Sequence, residues 1–448
     1  AHEAAEEVQS QACLALRNIT RSREDQQAVA FGLGACAALV TALRRHPRSV
    51  VVQEFALAVL HLWVAQAPAE LCSLGLLALI RDALQAHSMW EKVVVMCCRL
   101  LQDFAQHGGD VRQEAMSLGL IELMAAAMSA WRSNASIQAS CCNAFAGLLF
   151  WAGDAELGED IELVMGALDG HSADMRVTTI LRTLARQSRA APLKISAQGG
   201  VRLILRAMKA HPAAADVQHQ ACRAMQRLAT RSAATRSALV GSLDGVVKLL
   251  VSALRVHIAV PEVQEHGLAA LAVLACSSAT AQDHILKADG VQLVVSAMQA
   301  HFYVATVQGQ AFVALQNFAC GSAEHCEAVV SAGVIDLILA AMRAHEKDAH
   351  VQALGCTALQ GFVAENERNR DKVAALCGVE LVLGMMGDLG GASVEAQEHG
   401  AALLCQLCQH SEAMREEVVR LGGVAAVLGA VEAHHAAVER RGGDAHCG

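Results

Sequence analysis

Residues 307–319 read VQGQAFVALQNFA, and the chain writes variants of this line again and again: VQSQACLALRNIT from Val8, VQHQACRAMQRLA from Val217, VQEHGLAALAVLA from Val263 and VQALGCTALQGFV from Val351. Alignment on the first residue gives ten copies, anchored at Val8, Val52, Val93, Ile137, Ala173, Val217, Val263, Val307, Val351 and Ala396, most of them 44 residues apart. Eight and eleven positions after the anchor every copy is apolar, as at Leu315 and Phe318. Offsets 0, 4, 8 and 11 share one helical face, so each copy contains an amphipathic helix with a fixed inner stripe. Offset 4 is small in nearly every copy, from Ala12, Ala56, Cys97 and Cys141 to Gly267, Gly355 and Gly400. That predicts a close approach of backbones, which we read as the stacking of one repeat on the next.

Such self-similarity makes length a poor guide to domain count in a chain of 448 residues. Hydrophobic residues make up 54%, yet aromatics only 3% and Pro only 5 residues, a composition for helices packed with Ala, Leu, Val and Cys rather than strands. No apolar run approaches the roughly 20 residues needed to span a bilayer, and no charged-then-apolar leader opens the chain. A soluble, cytoplasmic protein without a transmembrane segment is expected. Of 16 Cys, five (Cys13, Cys98, Cys142, Cys222 and Cys356) fall in one recurring slot, which predicts reduced thiols filling a core rather than a disulfide scaffold.

After the anchored helix, each copy continues with a shorter helical stretch, one or two Gly, and an apolar helix that closes on His, as in AVVSAGVIDLILAAMRAH ending at His345. Gly199 with Gly200, Gly290, Gly333, Gly378, and Gly422 with Gly423 stand at the turn, where positive φ is expected. The closing residue is His46, His87, His171, His211, His257, His301, His345 or His434, replaced by Trp131 and Leu389. A metal ladder does not fit, because successive histidines lie a whole repeat apart and no carboxylate or Cys recurs with them. An imidazole bonding the last carbonyls of its own helix is the expected role. Three helices per copy give an all-α solenoid of about nine to ten repeats.

A unit of about 44 residues with three helices, a Gly turn before the second, and VQxxAxxALxN in the third resembles the armadillo repeat over almost the whole chain. The resemblance implies a right-handed superhelical α-solenoid, with HEAT-like packing as the alternative at the level of fold. The AMxAH ending is similar to armadillo arrays of single-celled eukaryotes and of the large leucine-rich-repeat kinases. Because the chain opens within a third helix and closes with a second, we expect a single solenoid over 1–448, truncated at both ends, with irregular, shortened repeats near 137–175.

The resemblance implies that third helices line a groove in which a Trp, with an Asn four residues later, grips an extended peptide. Here the Asn slot keeps only Asn18 and Asn317, and the Trp slot keeps no Trp, holding Ala58, Arg99 and Arg223 among others. A complete ladder needs the amide in successive repeats, so a receptor for nuclear-localisation signals is disfavoured. The four Trp (Trp63, Trp90, Trp131 and Trp151) fall at core or helix-end positions. Charge is uneven: Arg176–Lys248 holds 13 Lys and Arg against Asp216 and Asp244, within a chain of net charge -9. Arg176, Arg223 and Arg227 sit at groove offsets and, with Asn317 and Asn18, are the candidate partner-binding residues. The partner they suit is an acidic or phosphorylated protein segment; the plainer alternative is a solvated surface. Nucleic acid fits worse, since no Phe, Tyr or Trp lies between 152 and 301 to stack on bases.

Catalysis has little support. Cys405 and Cys408 form a CxxC inside a third helix, away from the strand-to-helix setting of a redox motif, and no phosphate-loop, HExxH or GxSxG pattern occurs. No cofactor or metal is expected. The sequence therefore reads as a non-catalytic scaffold or adaptor, the alternatives being a regulatory domain of a larger enzyme such as a kinase, or a structural subunit of a large assembly.

Overall fold

Helix, short helix, Gly turn, helix: the computed structural model lays this order down in each copy that it describes, which are residues 5–149 and 199–431 apart from short breaks, with isolated positions between 165 and 197. Arg176, His171, His434, Trp151 and most of the shortened repeats near 137–175 lie outside the described residues. The chain falls into two compact units, Ala1–His211 and Pro212–Gly448. Each is an all-α solenoid, and no strand occurs among the described residues. In the second unit a full repeat is Ala279–Lys287, Gly290–Ala300 and Ala305–Ala319, followed by Ala323–Val330, Val334–Ala344 and Ala349–Val363. In the first, Glu24–Gly32, Ala35–Arg45 and Val50–Trp63 repeat the pattern. No single helix among the described residues is long and apolar enough to cross a membrane.

The inner stripe forms the core as its periodicity requires. Val307, Ala311, Leu315 and Phe318 are fully buried, and the same offsets are buried at Val52, Val93, Ile137, Val263 and Val351. Among the described residues the first copy departs: Val8 and Ile19 are 45% and 57% exposed, because no second helix packs before Glu6–Thr20 among them. The small residue at offset 4 does mark a close approach, but its neighbour is the second helix of the same repeat. A Cβ on Gly267 would come within 2.6 Å of Leu254, and one on Gly355 within 2.6 Å of the Met342 sulfur. At these positions the offset seats the third helix on its own second helix, while Cys141 at the same offset also meets Cys98 of the preceding third helix at 3.5 Å.

Polar side chains close the helix ends. A helix leaves its last carbonyls without partners, and the Gln after the anchor supplies them: Gln308 Nε2 donates to Met298 O and His301 O, each at 2.9 Å. Gln53, Gln138, Gln264 and Gln352 make the same pair of bonds to their own second helices. Third-helix ends are served from the following short helix, by Gln27, Arg236, Gln282 and Asn369. At the N-termini, Ser49, Ser278, Ser322, Asp348, Asn366, Ser393 and Ser411 accept from backbone amides as caps.

The closing histidines are structural, with a different acceptor from the one expected. His87 Nε2 donates to Pro47 O at 2.8 Å, and in the second unit His257 donates to Pro212 O, His301 to Ile258 O and His345 to Phe302 O at 2.7–2.9 Å. Each acceptor follows the closing residue of the preceding repeat, so the ring ties one repeat to the one before rather than bonding its own helix end. Trp131, in the same slot, donates Nε1–H to Ser88 O at 2.8 Å. His and Trp thus supply the same ring N–H at this slot, while Leu389 lies outside the described residues.

The turn before the second helix uses two adjacent positions for different reasons. The first is left-handed: Gly34, Gly75, Gly119, Gly199, Gly333 and Gly422 have φ of 68–84°, and Asp289 and Cys377 fill it at 60° and 53°. Where the second is also Gly it is crowded, since a Cβ on Gly290 would lie 2.4 Å from Ile285 Cγ2 and 2.8 Å from its carbonyl oxygen, whereas Ala35, Leu76, Leu120 and Val334 stand there in other copies. Gly290 and Gly378 are thus required by close approach, not by positive φ.

Candidate functional site

Third helices present their outer residues side by side, and the candidate binding residues fall on this face. In the second unit, Arg223 and Arg227 are one turn apart and half-buried on the helix Ala215–Arg231. Arg223 makes no ion pair among the described residues. His219, one turn before Arg223, stacks on His266 of the next third helix, Pro261–Ala275, with ring centroids 5.1 Å apart and planes 5° from parallel. His266 Nδ1 donates to Gln226 Oε1 at 3.2 Å, which fixes its ring between the two helices, and the Glu265 carboxylate lies 3.9 Å away. Cations and imidazoles are therefore gathered at one end of this face.

Asn317 is committed to the frame: its Nδ2 donates to Ala272 O at 3.0 Å, while its backbone oxygen accepts from Gln282 Nε2 at 2.9 Å. Gly361 occupies the Asn slot of the following copy and leaves a cleft of about 460 Å³ walled by Gln316, Cys320, Cys326 and Phe362. In the first unit, Asn18 is exposed on Glu6–Thr20. Beside it, the Arg17 guanidinium lies 6.0 Å from the Phe55 ring centre. Lys92 reaches Glu54 at 3.1 Å, and His61 Nε2 lies 3.3 Å from Asp103 Oδ2 of the next third helix. Burial pushes the His61 pKa down from its ordinary value; Asp103 pulls it partly back up, and Arg99 adds to the fall.

Sequence reasoning placed Arg223 and Arg227 on this face but missed the His219–His266 stack and the His61–Asp103 pair. Their signal was present: each pair stands at neighbouring offsets of consecutive copies, 2 with 3 and 9 with 10, so adjacent third helices bring them together.

No group of three or more His, Cys, Asp or Glu is placed to hold a metal ion among the described residues. Every described Cys is free. Cys13, Cys98, Cys222 and Cys356 are buried in their common slot, and burial pushes the thiol of Cys13 up to about 11 and those of Cys222 and Cys356 up to about 12. Such groups stay protonated near neutral pH and pack as small apolar side chains. Cys405 is exposed and Cys408 half-buried on one helix, Val394–Cys408, and burial raises the pKa of Cys408.

A family model described as LRRK2 ARM repeat matches residues 160–374. No curated protein matches the sequence. Among solved structures, a chain from work on a phosphorylation switch in the interaction between cadherin and β-catenin is similar over 89% of this chain and 83% of its own, with TM-score 0.60 and 17% identity. Two engineered proteins are also similar: one covers 56% of this chain and 97% of its own at 25% identity and TM-score 0.47, the other 55% and 98% at 20% and 0.45. The repeat of three helices, the family match over residues 160–374 and the solenoid fold shared with the β-catenin work agree: the chain has the fold of an armadillo-repeat solenoid.

Proposed function

We propose that this chain is a non-catalytic scaffold that captures an acidic or phosphorylated protein segment on its third-helix face, with Arg223 and Arg227 as contacts. The carrying observation is the half-buried pair Arg223 and Arg227 within Arg176–Lys248, where 13 cations meet two carboxylates. Guanidinium groups pair with carboxylate or phosphate in bidentate fashion, and a surplus of cations steers an anionic partner inward. The fold is typical of protein-interaction scaffolds. In the β-catenin work a phosphorylation switch controls a partner's binding, and phosphorylation is one way to supply the anion here. The test is fluorescence anisotropy of the full chain with labelled (Gly-Glu)4 and with a phosphoserine peptide of the same length. R223E/R227E is expected to lower affinity at least tenfold, about 1.4 kcal/mol; binding equal to the parent protein overturns the proposal.

The matched family model favours a second reading, that the chain is the regulatory armadillo domain of a larger enzyme such as a kinase. A full-length transcript encoding a catalytic domain in the same chain supports it, and one without such a domain refutes it.

A further inference from the structure

In the first unit, four successive third helices line a small open pocket of about 170 Å³. Arg17 comes from Glu6–Thr20, Ala58 from Val50–Trp63, and Val95, Met96 and Arg99 from Glu91–Phe104; Ser136 closes the far side. Lys92 and two carboxylates, Glu54 and Glu91, also line it. Glu54 holds Lys92 at 3.1 Å, and Glu91 sits in the first turn of its helix, where a negative charge meets the amide end of the dipole. Neither Arg17 nor Arg99 has a carboxylate partner among the described residues, and Arg17 is braced against Phe55. The pocket thus holds three cations against two carboxylates, with Arg17 and Arg99 in no ion pair among the described residues and Ala58, Val95 and Met96 as its apolar floor.

We propose that this pocket is an anchor site for one glutamate side chain of an acidic partner. The carboxylate accepts hydrogen bonds from Arg17 and Arg99, and the two methylenes of the stem lie on the apolar floor. An aspartate stem is too short to use that floor while reaching both guanidinium groups, and a phosphoryl group has no apolar portion to place there. The inference rests on the reading of the partner as acidic given above, but on other residues, in the other unit.

The experiment uses the full chain carrying R223E/R227E, so that the first unit reports alone. Anisotropy is measured with labelled (Gly-Glu)4, (Gly-Gln)4, (Gly-Asp)4 and a phosphoserine peptide. Expected are residual binding of (Gly-Glu)4, at least fivefold tighter than the other three, its loss on adding R17Q/R99Q, and partial retention with R17K/R99K. Absence of residual binding, persistence of it in R17Q/R99Q, or a preference for the aspartate or phosphoserine peptide overturns the inference. If R17Q/R99Q fails to melt like its parent, the lysine pair decides, since unchanged affinity there also overturns it. The reading of Arg223 and Arg227 fails separately, when R223E/R227E binds (Gly-Glu)4 as tightly as the parent chain does.

Discussion

Gln308 shows what one recurring side chain contributes. Its two bonds satisfy carbonyls that a helix end buried against its neighbour cannot expose to water, and losing each leaves a desolvated acceptor. We expect Gln308→Leu to lower the unfolding free energy by about 2 kcal/mol in urea denaturation, part of the loss being offset because Gln308 Oε1 has no partner among the described residues. His61 carries a pH prediction. With its folded pKa below the unfolded one, the fold binds fewer protons than the open chain between those two values. Its stability contribution is complete above about 6.5 and declines as pH falls through the folded value. Nuclear magnetic resonance titration should find the His61 pKa lower still in Asp103→Asn and higher in Arg99→Gln; no movement in either variant refutes the assigned causes. Gln308 was readable as a structural contact because its side chain recurs in the sequence. Its acceptors, and those of the closing histidines, were not, because a backbone carbonyl leaves no trace in residue type.

At the scale of elements, the two turn positions make opposite demands on glycine. Gly290→Ala would press a methyl into the Ile285 carbonyl, a backbone atom that cannot rotate away, and should cost about 2 kcal/mol. Gly361→Ala, on the third helix Ala349–Val363 with its nearest neighbour at 3.6 Å, should instead stabilise by about 0.5–1 kcal/mol through helix propensity. Urea midpoints that move the same way in both variants would contradict this account. The number of helices per copy was legible from the apolar period together with the Gly turn and the closing His. The reason for each Gly was not, since Gly290 and Gly333 look alike in sequence but answer to crowding in one case and to a left-handed turn in the other. The small offset misled in the same way: its size was visible, and its neighbour, Leu254 or Met342, was fixed only by the packing of helices.

Over the whole molecule, charge should govern capture of a partner more than buried area does. If the surplus cations of Arg176–Lys248 attract an acidic segment, affinity for (Gly-Glu)4 should fall steeply between 50 and 300 mM salt, about the range over which the Debye length drops below 10 Å. An affinity indifferent to salt would point to an apolar surface instead. The family was legible because VQxxAxxALxN and its spacing are consequences of burial, which every copy must satisfy. The partner was less so, because the residues proposed to meet it, such as Arg17, Arg99 and Arg223, sit at positions where each copy is free to differ. The ring N–H tie between repeats has a consequence for that freedom. Its acceptors are Pro47, Ser88, Pro212, Ile258 and Phe302, residues with nothing in common but a backbone. A donor that makes no demand on its acceptor's identity lets a repeat be duplicated, deleted or recombined as a cassette, with the join already compatible on both sides.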